Sequence, residues 1–280
     1  MNMDVCCPLC GISGPHRVVE DNEPPYQVLV CPACDYGFVH PLPDQERLAA
    51  AYQEAYYEPW RSKHVVARRR MWRWRLKQVR MMVPAGRLLE VGAGDGDFLS
   101  LAVEAGYEVA ATEFSEAAAA SIRDRVPEAM VWKGEVEELG LPESEFDVVV
   151  AWHSLEHMRF PFRALAAMRR TLKPGAALFI AVPNRNNHLM RFFYRLVRGR
   201  PYPLFSLRGK EIHLSHFTPR SLKRAVEDAG FEVRGISPDH AMVEPAKRLI
   251  DSLAVLPFIM GGHIGTEAML LTAVRKENGS

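Results

Sequence analysis

From Leu88 onward, short apolar runs alternate with stretches of helical spacing. Leu88 to Val91, Glu108 to Glu113, Met130 to Trp132 and, after Phe146, Asp147 to Val150 each read as a strand. The last is apolar from Val148 to Val150 without alternation, as a strand covered on both faces requires. Helical spacing restarts at Phe98 and runs again from Phe162 to Leu172, ending in a basic turn before Lys173-Pro174-Gly175. Ala176 to Val182 is a further strand. Thr218 caps a helix with Pro219 at its first position and Gly230 past its end, and Phe231 to Ile236 and Glu267 to Val274 are the last strands. Strands alternating with helices predict an α/β fold with a doubly wound sheet. Upstream, Tyr26 to Val30 reads as a strand after a turn at Asn22-Glu23-Pro24-Pro25. Asp44 to Tyr57 carries an acid-capped helical pattern that Pro59 interrupts. A second helix is predicted over Arg61 to Arg80, with Val65, Trp72, Leu76, Val79 and Val83 on one stripe.

Composition narrows the organisation. With 280 residues, 48% of them hydrophobic, the chain suits one large domain carrying a small appendage. The expected division is a ribbon over 1–43, a helical connector over 44–84 and the main domain over 85–280, with a basic-aromatic insertion at 185–217. A formal net charge of +1 offers no global argument for nucleic acid. No run reaches the ~20 apolar residues of a membrane span, and the start of the chain lacks the basic and apolar pattern of a secretory signal, so the cytoplasm is expected.

Four of the five cysteines form two C-x2-C pairs, Cys7 with Cys10 and Cys31 with Cys34. In a reducing compartment structural disulfides are disfavoured, and paired knuckles at this separation match one tetrahedral zinc held by four thiolates. Two redox dithiols are the rival reading. A ribbon this small buries too little surface alone, so the zinc is expected to be structural and to supply folding energy. Cys6 is left over.

The stretch Glu90-Val91-Gly92-Ala93-Gly94-Asp95-Gly96 carries the cofactor chemistry. Alternate glycines permit left-handed dihedrals and close approach to a ligand, and the helix that follows offers unpaired N–H groups. Dinucleotide folds place a third glycine three residues after the second, where this chain has Asp97. The spacing E-x-G-x-G-x-G resembles instead the first motif of class I S-adenosylmethionine-dependent methyltransferases. That resemblance implies a Rossmann-like seven-stranded sheet in the order 3-2-1-4-5-7-6 with the seventh strand antiparallel. It implies S-adenosylmethionine bound by Glu90, Gly92, Ala93, Gly94 and Gly96, by Glu113 and Phe114 after the second strand, by Glu135 and Val136 after the third, and by Trp152 after the fourth. Glu113 also suits ribose hydroxyls on chemical grounds, since a carboxylate accepts two hydrogen bonds; a charge at the next helix N-terminus is the other reading. Glu135 departs from the Asp usual at the adenine contact.

Leu155-Glu156-His157, Val182-Pro183-Asn184, the cysteine ribbon and Pro41-Leu42-Pro43 resemble the glycan and small-molecule branch of the same family. The acceptor expected is a hydroxyl of a sugar, glycan or other bacterial metabolite. His157, His213 and His216 are the candidate bases, because a hydroxyl needs a proton acceptor within hydrogen-bond reach. His213-Leu-Ser-His216 has a spacing that permits a metal, but no acid nearby in sequence completes a site, so none is assigned. Seven Arg or Lys and no acid lie between Arg185 and Lys210, interleaved with aromatics. This suits an anionic or membrane-associated acceptor, peripheral to a membrane, or equally a lid that buries its aromatics. The rivals are an RNA methyltransferase and a non-enzymatic cofactor-binding module.

Overall fold

The computed structural model describes residues 5–51, 65–207, 211–239 and 244–277. Strands β1 (Arg17–Glu23), β2 (Tyr26–Val30) and β3 (Gly37–His40) form an antiparallel meander. Helix α1 (Gln45–Ala51) begins where the Asp44 carboxylate accepts the Arg47 amide at 2.8 Å. The expected helix from there to Tyr57, and the start at Arg61, fall partly outside the described residues. Helix α2 (Val65–Met82) buries Leu76 and Val79 but leaves Val65 exposed.

Seven strands build the main sheet: β4 (Arg87–Val91), β5 (Glu108–Glu113), β6 (Met130–Lys133), β7 (Phe146–Trp152), β8 (Leu172–Pro183), β10 (Phe231–Pro238) and β11 (Ala268–Arg275). Their spatial order is β10-β11-β8-β7-β4-β5-β6. β11 runs antiparallel to both neighbours, and the remaining pairs are parallel. Counted within this sheet alone, the order is the expected 3-2-1-4-5-7-6 with the seventh strand reversed. Alternation along the central strands feeds two cores. Leu88, Val148, Val150 and Phe179 face α2, α3 (Asp97–Glu104) and α4 (Glu116–Arg125). Leu89, Val149, Ala151, Ile180 and Val182 face α5 (Pro161–Thr171) and α7 (Pro219–Asp228). Both faces are covered, so these strands carry apolar residues at nearly every position. Thr218 and Ser221 close a reciprocal capping box at the start of α7.

The cysteine ribbon is not closed on itself. The short strand β9 (Ser215–His216) pairs with β3 and makes the ribbon sheet four-stranded, in the order β1-β2-β3-β9. Tyr36 and Phe38 of the ribbon share one core with Phe217 and Leu222, and the Tyr36 hydroxyl lies 2.6 Å from Ser215 Oγ. The physical reason is size: a three-stranded meander cannot bury its own apolar face, and the insertion supplies the missing surface. Polar ties reinforce this seam. The Glu20 carboxylate accepts the amides of Leu204 and Phe205 at 2.7 and 2.9 Å, and Arg185 pairs with Asp35. Within the insertion, α6 (His188–Arg198) is amphipathic and leaves Phe192, Leu196 and Val197 exposed, while Phe193 and Tyr194 are half-buried and Phe205 further along is buried. Helices α8 (Pro245–Ala254) and α9 (Leu256–Ile259) precede β11.

Candidate active site

A cavity of about 370 Å³ lies beyond the carboxyl ends of β4, β5 and β7, where open α/β sheets bind ligands. Its first wall is the glycine loop. Gly92, Gly94 and Gly96 all have positive φ, at 73°, 57° and 76°. The three have different reasons for being glycine. A Cβ on Gly92 would lie 2.5 Å from Ser154 Cβ, so the loop can pass the end of β7 only without one. A Cβ on Gly94 would meet nothing within 4 Å, because that side of the residue faces the cavity. Gly96 does not line the cavity; it caps α3 in the left-handed conformation, with Ile122 behind it at 3.4 Å.

The acids around this loop are placed by backbone donors. Glu113 accepts the Gly94 amide at 2.8 Å on one oxygen and the Ser115 amide at 3.0 Å on the other. It thus joins the glycine loop to the N-terminus of α4. Glu90 is 2% exposed, and its Oε2 has no hydrogen-bond partner among the described residues. Burial, with Asp95 nearby, pushes its carboxyl well above the usual range. Glu135 likewise keeps a buried, partnerless Oε2, and burial raises it. Ala93, Phe114, Val136 and Trp152 also line the cavity. Orphaned acceptors at Glu90 and Glu135 and an open face at Gly94 are what a ligand with ammonium, ribose and amino donors would satisfy.

The cavity continues into a second lobe walled by histidines. Glu156 and His157 sit on the single 3-10 turn Leu155–His157 directly after β7. His213 and His216 arrive from the insertion, with ring centroids 4.9 Å between His157 and His213 and 6.4 Å between His213 and His216. The Leu214 amide donates to the Glu156 carbonyl at 2.8 Å, and the Val39 amide of the ribbon donates to the Leu214 carbonyl at 3.0 Å. The ribbon therefore backs the strand that carries these histidines. His216 is 6% exposed, its Nε2 has no partner among the described residues, and burial with His213 lowers it well below the usual imidazole range. Burial also lowers His157.

Three site residues have no local signature in the chain. Arg75, on the basic face of α2, is 1% exposed and pairs with the fully buried Asp239 at the end of β10, at 3.3 Å (Nε to Oδ1) and 2.5 Å (Nη2 to Oδ2). Its guanidinium carbon lies 5.0 Å from the Trp152 ring centroid and 4.8 Å from that of Trp72. The basic helix is thus no wholly solvated surface; Arg68 also turns inward, to Asp97 at 2.9 Å. His153 adopts φ 50° and stands between Asp239 and Glu156, 3.4 Å from each. Burial opposes its charge, but Asp239 and Glu156 outweigh it and raise His153 to about 9. Positive φ on a non-glycine residue beside a cavity was the one available structural signal for His153.

At the far side of the ribbon the sulfurs of Cys7, Cys10, Cys31 and Cys34 all lie within 4.8 Å of one another, with Cys7 to Cys34 and Cys10 to Cys31 at 3.6 Å. Cys6 stands apart and donates to the Gly11 carbonyl. The four thiols converge as a tetrahedral ion requires, and no pair is bonded as a disulfide.

The profile of the methyltransferase domain family matches residues 63–235, which is more than half of the chain. The chain belongs to this methyltransferase family. The methyltransferase is 31% identical over 150 residues to a protein of Mycolicibacterium smegmatis named a probable S-adenosylmethionine-dependent methyltransferase, covering 53% of each chain. It is 32% identical over 167 residues to a ubiquinone biosynthesis O-methyltransferase of Hahella chejuensis, covering 56% of this chain and 69% of that one. The methyltransferase therefore spans about half the length of its mycobacterial relative. Among solved structures it resembles S-adenosylmethionine-dependent methyltransferases of Thermotoga maritima (20% identity, TM-score 0.54, covering 79% of this chain and 97% of that one) and Mesorhizobium loti (17%, 0.52, 73% and 98%), which shows the fold. No described helix is long and apolar enough to cross a membrane.

Proposed function

We propose that the methyltransferase transfers the methyl group of S-adenosylmethionine to a hydroxyl of a sugar, glycan or other small bacterial metabolite. The observation that carries this reading is one cavity joining the glycine loop to the histidine lobe, so that cofactor and acceptor sites are continuous. Glu90, Gly92, Ala93 and Gly94 would hold the methionine half, Glu113 and Phe114 the ribose, and Glu135 and Val136 the adenine, with Trp152 as the floor. Bound there, S-adenosylmethionine supplies a sulfonium methyl to which the acceptor oxygen bonds as the carbon–sulfur bond breaks, its electron pair going to sulfur. The chain's share is to align the oxygen behind the methyl and exclude water, which accounts for most of the acceleration in such transfers. The hydroxyl proton leaves toward the lobe of His157, His213 and His216. His216 is enclosed against the ribbon, so His157 and His213 are the histidines nearer to an acceptor. The Hahella relative's name, an O-methyltransferase, supports a hydroxyl acceptor.

Zinc on Cys7, Cys10, Cys31 and Cys34 would be structural, holding the ribbon that backs β9. The exposed Phe192, Leu196 and Val197 of α6, flanked by Arg195 and Arg198, support an acceptor presented at an anionic or membrane surface. Calorimetry with S-adenosylhomocysteine tests the cofactor half, and labelled methyl transfer into hydroxylated metabolite pools tests the acceptor half. Absence of S-adenosylhomocysteine binding by folded protein overturns the reading.

A further inference from the structure

In sequence no acid near the H-x-x-H element completes a metal site with it, and the adjacent Glu211 pairs with His213 from behind. The fold supplies Glu156 from the turn after β7, at the same end of the sheet. One ligand atom each from Glu156, His157 and His213 lie within 4.8 Å of one another. For metal–ligand bonds of about 2.1 Å, neighbouring ligands stand about 3 to 4 Å apart, so small side-chain adjustments close this set on an ion.

We infer that Glu156, His157 and His213 form a divalent metal site in the acceptor lobe, separate from the cysteine cluster. The strongest support is Glu156 itself. It is 1% exposed, and neither carboxylate oxygen has a hydrogen-bond partner among the described residues. A buried carboxylate whose oxygens accept no hydrogen bond keeps capacity for a cation, and native folds pair such groups or coordinate them to a metal. His153 Nδ1 is 3.4 Å from Oε1, but its other nitrogen faces Asp239 at the same distance, so it is shared between two acids.

The histidines are held in the manner of ligands. His157 Nδ1 is 2.7 Å from the Ile212 carbonyl, which places the proton on Nδ1 and the lone pair on Nε2. His213 Nε2 lies 3.4 Å from the Glu211 carboxylate. A backbone carbonyl on one imidazole and a carboxylate on the other are the outer partners that orient metal-ligating histidines and raise their basicity. Glu156 and His157 are rigid because they share one turn, and His213 is fixed through Leu214, whose amide bonds the Glu156 carbonyl.

Two imidazoles and one carboxylate with room for further ligands suit manganese, iron(II), cobalt, nickel or zinc better than magnesium or calcium, which take oxygen shells. The site opens on the cavity that carries the glycine loop. The role inferred rests on the methyltransferase reading: the cation would coordinate the acceptor hydroxyl and lower its pKa, the proton leaving to solvent as the acceptor binds and before the methyl moves, so that His157 and His213 act as ligands in place of acting as bases.

Metal binding is measured without turnover. Full-length protein as purified, with its cysteine site left loaded, is titrated in turn with cobalt(II) or manganese(II) and assayed by elemental analysis, visible spectroscopy and electron paramagnetic resonance, with S-adenosylhomocysteine affinity measured in parallel. The wild type should bind a second equivalent beyond the cysteine cluster, giving cobalt bands of nitrogen and oxygen ligation without thiolate charge transfer. Glu156→Gln and His213→Ala should each lose that equivalent, and Glu211→Gln should weaken it about 10- to 100-fold. S-adenosylhomocysteine binding should stay within about twofold in all three. If Glu156→Gln does not fold, the wild-type cobalt spectrum and His213→Ala still decide. A single, thiolate-ligated equivalent in the wild type, or a second one untouched by His213→Ala, overturns the site. Loss of S-adenosylhomocysteine binding in the wild type would instead strike the methyltransferase reading, so the two failures are distinct.

Discussion

Asp239→Asn is the sharpest test of how α2 is joined to the end of β10 beside the cavity. The substitution keeps the shape of the side chain and removes its charge, leaving the Arg75 guanidinium buried without a counter-ion. The pair is 1% and 0% exposed, so solvent screening that makes surface ion pairs nearly worthless does not apply. Removing one partner of such a buried pair costs about 3 to 5 kcal/mol. With an unfolding entropy of roughly 2.1 cal/mol/K per residue, a chain of this length should lose about 5 to 8 °C in Tm. Arg75 holds the Asp239 carboxyl well below the usual range against the opposing effect of burial. A depressed folded pKa makes this contribution fully present above the unfolded value of about 3.9, and it is lost only as the pH falls further. The Arg75 share of the deficit should therefore be constant from pH 5 to 8, and the total should shrink as the pH rises above about 6.5, because Asp239 also helps raise His153 to about 9 and that stabilisation fades as the imidazole deprotonates. Urea unfolding followed by tryptophan fluorescence is a direct assay, because Arg75 stacks on Trp72 and Trp152. The double variant Arg75→Met with Asp239→Leu should recover most of the loss, since apolar replacement of a buried pair is close to neutral or better. A cost below about 1 kcal/mol for Asp239→Asn would refute the claim that the pair is desolvated.

Gly94→Val should leave the protein folded, at a cost of about 1 to 2 kcal/mol for a β-branched residue at φ 57°, while abolishing S-adenosylhomocysteine binding in calorimetry, because the added side chain occupies open cavity. Cys10→Ser should abolish the zinc binding proposed for the ribbon and broaden amide resonances of β9 and the His213 segment, with cofactor affinity retained; unchanged spectra there would show that the ribbon does not support the lobe. Burial raises Glu267 to about 7, so the folded state keeps a proton that the unfolded chain releases above about pH 4.5. Stability should then fall as the pH rises from 5 to 7 and level off beyond, by roughly 1 to 3 kcal/mol, and Glu267→Gln should flatten that slope in urea midpoints.

The elements of the main domain were legible because each leaves a local mark. Apolar runs with Gly or Pro boundaries located β4, β5 and β7 closely, and Thr218-Pro219 marked a helix start that the capping box occupies. Spacing alone likewise put the four ribbon cysteines together, since a knuckle is a local turn and only one hairpin separates the two. The glycine loop announced a close ligand approach because backbone dihedrals demand it residue by residue.

What the sequence could not determine lies in single side chains paired across long separations. Arg75 looked like one basic residue among nine on a polar helix face, and only docking of α2 against the sheet, with β10 returning Asp239 beside it, buries the two together. Ser215 and His216 carry no strand pattern of their own and become a strand only because the ribbon presents an open edge. Glu156 is more than fifty residues from His213 in the chain. Their meeting depends on the turn after β7 and the insertion after β8 sharing one end of the sheet. Periodicity and spacing constrain neighbours within a few residues, whereas isolated charged contacts have no period, so the tertiary fold alone decides which acid faces which histidine.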